Sequence, residues 1–138
     1  MGDRAVIAFK DEHREEDDCL AIYLHWHGKE YYVEAFLKAA KEFGIRGNSA
    51  DYCMARLTQV IGNTIGTTLS LGVGRYGDFG HPGDNGVYWI KNWEIVRRDN
   101  DYYEDEYKSQ NYQAWHEEAY HDTLKANKKH FEVGAKVQ

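Results

Sequence analysis

Two histidines beside a tryptophan are the first residues whose types and spacing could do chemistry. His25, Trp26 and His27 stand at the end of an apolar run, and on an extended strand the two imidazoles would share one face. Such an H-x-H pair can hold a transition metal, but it needs a third and usually a fourth ligand. His116 and His121 supply no clear set, because on a helix they would point about 140° away from each other. We therefore predict no metal site and expect the strand-end histidines to bond to backbone groups.

A glycine-rich stretch matches the letters of a dinucleotide-binding loop. Gly72, Gly74 and Gly77 form G-x-G-x-x-G directly after a predicted strand. A dinucleotide-binding fold requires a helix to open at this point, since its first amides contact the pyrophosphate. Gly80 and Pro82 follow instead, and we expect no helix to begin there. The sequence thus argues against a dinucleotide fold.

Nucleophilic side chains are present, but their surroundings do not favour catalysis. Ser49 and Ser70 stand in no nucleophile-elbow sequence, and Cys53 falls on the apolar stripe of a predicted helix. Cys19 and Cys53 fit two buried free thiols in a reducing cytosol. We predict no catalytic residues and no cofactor, although the 23 acidic residues leave a carboxylate pair for acid–base chemistry open.

After these exclusions, the residues left as candidates for ligand binding are aromatic, amide and cationic residues at the edges of loops. Aromatic rings can sandwich a purine, while guanidinium and amide groups bind phosphate and ribose oxygens. Two of these residues also have a structural interpretation, since Trp26 fits a core position and Asn85 fits a turn before Gly86. The candidate ligand residues on this ground are Trp26, Arg56, Arg75, Phe79, Asn85 and Tyr88.

Composition restricts the partners. The 138 residues carry a formal charge of −6, and 14% are aromatic. The negative charge argues against a polymeric nucleic acid, because many Lys and Arg would be needed to neutralise successive phosphates. No apolar run approaches the roughly 18–20 residues of a membrane span, so we expect a cytoplasmic protein. The excess of Tyr and Trp favours a homo-oligomer, since a monomer of this size would struggle to cover it.

The elements that position these groups follow from hydrophobic period and turn residues. Val33, Phe36 and Ala40 recur at helical spacing, and Gly44 is placed for a left-handed cap. Residues 75–86 read as a long loop. The predicted strands cover residues 4–10, 19–26, 68–74, 87–90 and 93–97, and the predicted helices cover about 31–43, 49–63 and 109–129.

This order predicts an α+β fold, with an antiparallel sheet of about five strands, two helices on one face and a C-terminal helix. We expect a single domain over 1–138, in which 4–98 hold the sheet and helix pair and 99–138 hold an acidic, Tyr-rich segment and the last helix. The apolar stripe of that helix is weak. We therefore expect it to pack on a neighbouring subunit or to lie loosely on the surface.

Seven short motifs occur in an order that resembles one known family. They are RAVI at 4–7, IYLHW-x-G at 22–28, VEAFL at 33–37, ARL-x-QVIGN at 55–63, LS-x-G at 69–72, GDNGVY at 83–88 and W-x-IV at 93–96. This set, which spans about residues 4–97, resembles the first family of Thoeris anti-defence proteins. These are phage-encoded sponges for cyclic nucleotides.

The resemblance implies a homo-oligomer, a hexamer assembled from dimers, that binds cyclic nucleotide signals without cleaving them. The ligands would be cyclic ADP-ribose isomers and, in some members, cyclic di- or trinucleotides. Such a sponge would inhibit a bacterial anti-phage defence in the cytoplasm of the infected host. Family ligand residues would correspond to Trp26, to groups in the loop at 79–88 and the second helix, and to the cations Arg97 and Arg98.

Two other functions stay open at this stage. One is a small nucleotide hydrolase or phosphodiesterase that uses His25, His27 and an unidentified carboxylate. The other is a protein-interaction module whose binding face is the Tyr- and Trp-rich C-terminal region.

Overall fold

The computed structural model describes residues 3–66, 71–99 and 111–137, with side chains up to residue 131. The predicted strand at 68–74 and the predicted helix at 109–129 begin outside the described residues. Most of the Tyr-rich segment also lies outside them. The strands are β1 (Ala5–Phe9), β2 (Leu20–Leu24), β3 (Leu71–Arg75), β4 (Val87–Lys91) and β5 (Glu94–Asp99). The helices are α1 (Glu30–Glu42), α2 (Ala50–Ile65), α3 (Tyr76–Phe79) and α4 (Tyr112–Val137), with a 3-10 turn at Glu16–Asp18.

The strands form one sheet in the order β3-β2-β1-β4-β5. β1 pairs antiparallel with β2 and parallel with β4, so that Ile7 lies opposite Ile22 on one side and Tyr88 on the other. The α+β class and the five strands are confirmed, but the prediction of an antiparallel sheet is wrong because the sheet is mixed. The chain leaves β3 at one edge and returns beside β1, which makes β4 run in the same direction as β1.

α1 and α2 cover one face of the sheet, as predicted. Alternate strand residues such as Ile7, Ile22 and Tyr88 point to this face and pack against apolar side chains of the two helices, including Phe36 and Leu57. α1 ends where the sequence predicts, since Gly44 has a φ of 76° and its amide bonds to the carbonyl of Lys41.

α4 packs on α1 and α2 of its own chain. The expectation that it lies loosely on the surface is therefore wrong, while its packing on a neighbouring subunit stays a prediction. Up to residue 131, its buried residues are Ala119, Thr123 and Asn127, and the Asn127 side chain bonds to Asn63 and to the carbonyl of Val60. This buried face is mostly polar, which explains why an apolar stripe did not reveal it.

The second face of the sheet carries Val6, Ala8, Val87 and Trp89. Tyr23, Tyr76 and Phe79 pack against it. The last two belong to α3, a single helical turn that directly follows β3, so the expectation that no helix begins there is wrong. α3 ends after four residues, at Gly80 with a φ of 64°.

Candidate functional site

Trp26 lies just beyond the end of β2 and is 44% exposed. The His25 ring meets its indole edge-on, with ring centroids 5.2 Å apart, and His25 itself bonds to the Tyr23 hydroxyl at 3.1 Å. His27 follows in the left-handed region with a φ of 66°. The chain therefore turns sharply here and leaves the indole on the surface, which makes the core interpretation of Trp26 wrong.

The two strand-end histidines have different environments. Burial lowers the pKa of the His27 imidazole below its usual value, and its ring stands edge-on to Tyr32 at 4.8 Å. His25 uses its Nδ1 for the Tyr23 hydroxyl. In the part of the chain that the structure describes, no three His, Cys, Asp or Glu side chains come together as metal ligands.

Further aromatic side chains lie at the start of α1 and α4. Tyr31 contacts Tyr32 at 4.6 Å and Trp115 at 5.5 Å between ring centroids, and Tyr112 approaches Tyr31 at 6.4 Å. Trp115 is 40% exposed. Burial raises the pKa of Tyr31 to about 12. The Tyr-rich region thus contributes an aromatic cluster where α4 meets α1.

Asn85, Tyr88 and Arg98 come together inside the protein, at the end of the sheet where α1 begins. The Tyr88 hydroxyl donates to the carbonyl of Gly28 at 2.6 Å. Arg98 lies 3.7 Å over the Tyr88 ring and donates to the Asn85 carbonyl and to Glu30. Asn85 and Tyr88 are fully buried, so these candidate ligand residues hold the fold together in this conformation.

Arg75, Phe79 and Arg97 lie on the second face. Arg75 bonds to the carboxylates of Asp18 and Asp78, and Phe79 packs over Gly74 of β3 and beside Tyr23. Both guanidiniums on this face are already held by acids. Two nitrogens of Arg97 donate to Glu16 at 2.8 and 3.1 Å. Arg97 also pairs with Asp99 and lies over the ring of Trp89.

Arg56 lies apart from the other candidates, on the exposed side of α2. Its guanidinium stands 5.3 Å from the Tyr52 ring, and the guanidinium of Arg46 contacts the same ring at 4.7 Å. Arg56 bonds to the Gln59 amide, and neither arginine forms an ion pair with a described carboxylate. Sequence reasoning missed Arg46; only the i, i+4 spacing of Tyr52 and Arg56 signals this contact.

The eight candidate residues therefore occupy four separate places in one protomer: Trp26 at a strand end, a buried trio, a second-face trio and Arg56 on a helix. A mixed five-stranded sheet with α1 and α2 on one face, α4 packed on these two helices and an exposed indole at one end makes this a small α+β protein.

The comparisons with known proteins add no identification. The chain matches no protein-family model, no curated protein and no solved structure. Within the described residues, none of the helices has the length and apolar character that a membrane crossing needs.

Proposed function

We propose that this protein is a non-enzymatic sponge that binds cyclic nucleotide immune signals and releases them unchanged. The ligands are cyclic ADP-ribose isomers, with cyclic di- or trinucleotides as a further class, and their capture inhibits a bacterial anti-phage defence in the cytoplasm of the infected host. The proposal rests on the motif resemblance to Thoeris anti-defence proteins and on the chemistry of the exposed residues.

The exposure of Trp26 is the observation that carries the proposal. An indole that keeps 44% of its surface exposed can bury that surface by stacking on a flat ring such as a purine. His25 holds the indole edge, and the left-handed backbone at His27 fixes its direction. Trp26 is therefore presented for contact rather than used in the core.

The proposal includes a homo-oligomer, and the separate positions of the candidate residues support it. Trp26 lies beyond the end of β2 and contacts His25, whereas Arg56 lies on α2 and contacts Tyr52 and Gln59. In our proposal a second subunit supplies the guanidinium that completes the ligand contacts of Trp26. We therefore place the binding site between subunits of a dimer, with a hexamer as the full assembly.

The test is the substitution Trp26→Ala, measured by calorimetry with a cyclic ADP-ribose isomer. A stacked base contributes roughly 1–3 kcal/mol, which corresponds to roughly a 5- to 150-fold loss of affinity. Because Trp26 is exposed, the thermal melt and the oligomeric state should stay close to those of the wild type.

Trp115→Ala is the matched control. Trp115 has nearly the same exposure, 40% against 44%, but its ring lies tilted against that of Tyr31, with 5.5 Å between the centroids. We expect this variant to keep full affinity. Unchanged affinity in Trp26→Ala would contradict the site assignment, and an equal loss in both variants would move the site to the aromatic cluster.

A further inference from the structure

A cavity of about 540 Å³ lies at the opposite end of the sheet from Trp26. It forms beyond the carboxyl ends of β1 and β4, the parallel pair, where Phe9 and Ile90 line it. Crevices at the carboxyl ends of parallel strands are common ligand sites, and this volume lies in the range of about 300–1,000 Å³ typical of small-molecule pockets.

The floor of the cavity is apolar and rigidly held. Phe9, Ile90 and Trp93 are all at most 7% exposed. Trp93 lies in the two-residue turn between β4 and β5, and both Asn92 and Trp93 have positive φ angles of 52° and 64°. An indole is unusual in such a turn, but its Nε1 donates to the buried carbonyl of Ile45 at 2.7 Å. This bond fixes the floor against the loop that leads into α2.

The walls carry acids and bases in balance; Lys91 and Glu12 form a close ion pair, whereas Arg14 is held only loosely. Arg14, on the connection after β1, reaches across to α2, where its Nη2 is 3.5 Å from Asp51. Its Nε is 3.4 Å from Asp11, and its Nη1 is 3.4 Å from the carbonyl of Asp18. All three distances exceed those of a strong charge-assisted hydrogen bond, about 2.7–2.9 Å. The Arg14 guanidinium is thus placed at the cavity without a tight partner.

Asp51 is the acid on α2 that the Arg14 guanidinium approaches. It lies in the first turn of α2 and lines the cavity, and its carboxylate is 73% exposed. The Ser49 side chain does not cap this helix, so it does not occupy the first amides of α2. A bound phosphate would replace Asp51 as the ion-pair partner of the Arg14 guanidinium, which now lies 3.5 Å from the Asp51 carboxylate.

We infer that this cavity is a second binding site, for a small organic phosphate, in which Arg14 pairs with the phosphate and Asp51 is an internal competitor. The apolar floor of Phe9, Ile90 and Trp93 receives the body of the ligand. The site shares no residue with the Trp26 surface and does not depend on the proposed sponge function.

Opposite effects of two neighbouring substitutions test the inference. The probes are inorganic phosphate and adenosine 5′-monophosphate, followed by NMR through the amide of Gly47 and the indole of Trp93. Arg14→Gln should weaken binding about tenfold, the value of one charge-assisted contact. Asp51→Asn should tighten binding about two- to fivefold, because it removes the competing like charge.

Two control variants separate this site from general charge and from the Trp26 surface. Lys41→Gln removes a cation from an equally loose pair, 3.7 Å from Glu94, on a helix surface that does not line the cavity, and binding should not change. Trp26→Ala should also leave binding of adenosine 5′-monophosphate unchanged. The inference is overturned if neither the wild type nor Asp51→Asn binds the probes, if Arg14→Gln binds as tightly as the wild type, or if Trp26→Ala abolishes binding.

Discussion

Substitution of Arg98 gives a clear prediction for the free energy of unfolding. The sequence assigns Arg98 to ligand binding, whereas in the structure its side chain is largely covered and pairs with Glu30. Its side chain is 13% exposed and that of its partner Glu30 is 8% exposed, with 2.6 Å between nitrogen and oxygen. The substitution Arg98→Met keeps an apolar stem of similar length but removes the charge. Glu30 then loses this partner, and the Asn85 carbonyl loses a donor at 2.7 Å.

Removal of one partner from a buried ion pair typically costs about 3–5 kcal/mol. Domains of this size are stable by about 5–15 kcal/mol, so the variant should lose a large fraction of its stability. Urea denaturation followed by tryptophan fluorescence measures the free energy of unfolding directly.

The neighbouring Arg97→Met is the matched control. Arg97 is 43% exposed and pairs with Glu16 and Asp99 on the surface, and exposed pairs contribute only about 0–1 kcal/mol after screening by solvent. An Arg98→Met protein within about 1 kcal/mol of the wild type would refute the argument from burial. An equal loss in Arg97→Met would refute it as well.

Three further predictions follow from local contacts. Gly28→Ala should fold poorly in a thermal melt, because an added Cβ would stand 2.2 Å from the carbonyl oxygen of Asp3. In Gly62→Ala, in α2, the nearest atom to the added Cβ is 3.8 Å away, and the free energy of unfolding should instead rise by about 0.5–1 kcal/mol. A normal thermal melt of Gly28→Ala would contradict the predicted clash. Tyr31 is favoured in its neutral form, since burial raises its pKa to about 12 from about 10 in the unfolded chain. Its stabilising contribution should therefore be complete below pH 10 and decline as pH rises towards 12. In unfolding curves of Tyr31→Phe the decline should be smaller but still present, because burial also raises the pKa of Tyr76, Tyr112 and Tyr120; an unchanged decline would contradict this. Cys19 and Cys53 are buried, so Ellman's reagent should label neither thiol faster than the protein unfolds, and rapid labelling of the folded protein would refute this.

The sequence predicts local elements well because their signals are local. Helix α1 follows from the helical spacing of Val33, Phe36 and Ala40, all of which are buried, and Gly44 takes the left-handed conformation expected of a cap. The alternation of Leu71 and Val73 with glycine in β3 also matches its pairing, in which they lie opposite Leu24 and Ile22. Each of these depends on residues within a few positions of one another.

The parallel pairing of β1 and β4 could not be predicted in the same way. It joins segments about 80 positions apart, with Val6 opposite Val87, and no turn residue specifies that contact. One signal was present, since all five residues of β1 are apolar and buried. A strand buried on both faces is typical of a central position, often beside a parallel neighbour.

For the candidate site, too, residue types could be predicted from the sequence, but exposure and burial could not. The exposure of Trp26 depends on the turn at His27, and the burial of Tyr88 and Arg98 depends on Gly28 and Glu30 from a distant segment. Residue type alone identified groups able to bind a nucleotide. Their availability is a property of the packing, which sequence spacing does not contain.

Recovery of the ligand after binding tests the central claim most directly. The protein is incubated with a cyclic ADP-ribose isomer at several-fold molar excess, then denatured by heat, and the released nucleotide is analysed by chromatography. A sponge should bind a fixed amount per protomer and return it chemically unchanged, and Trp26→Ala should bind far less. Linear or hydrolysed product in excess of the protein would contradict the account, as would failure of the wild type to retain any ligand.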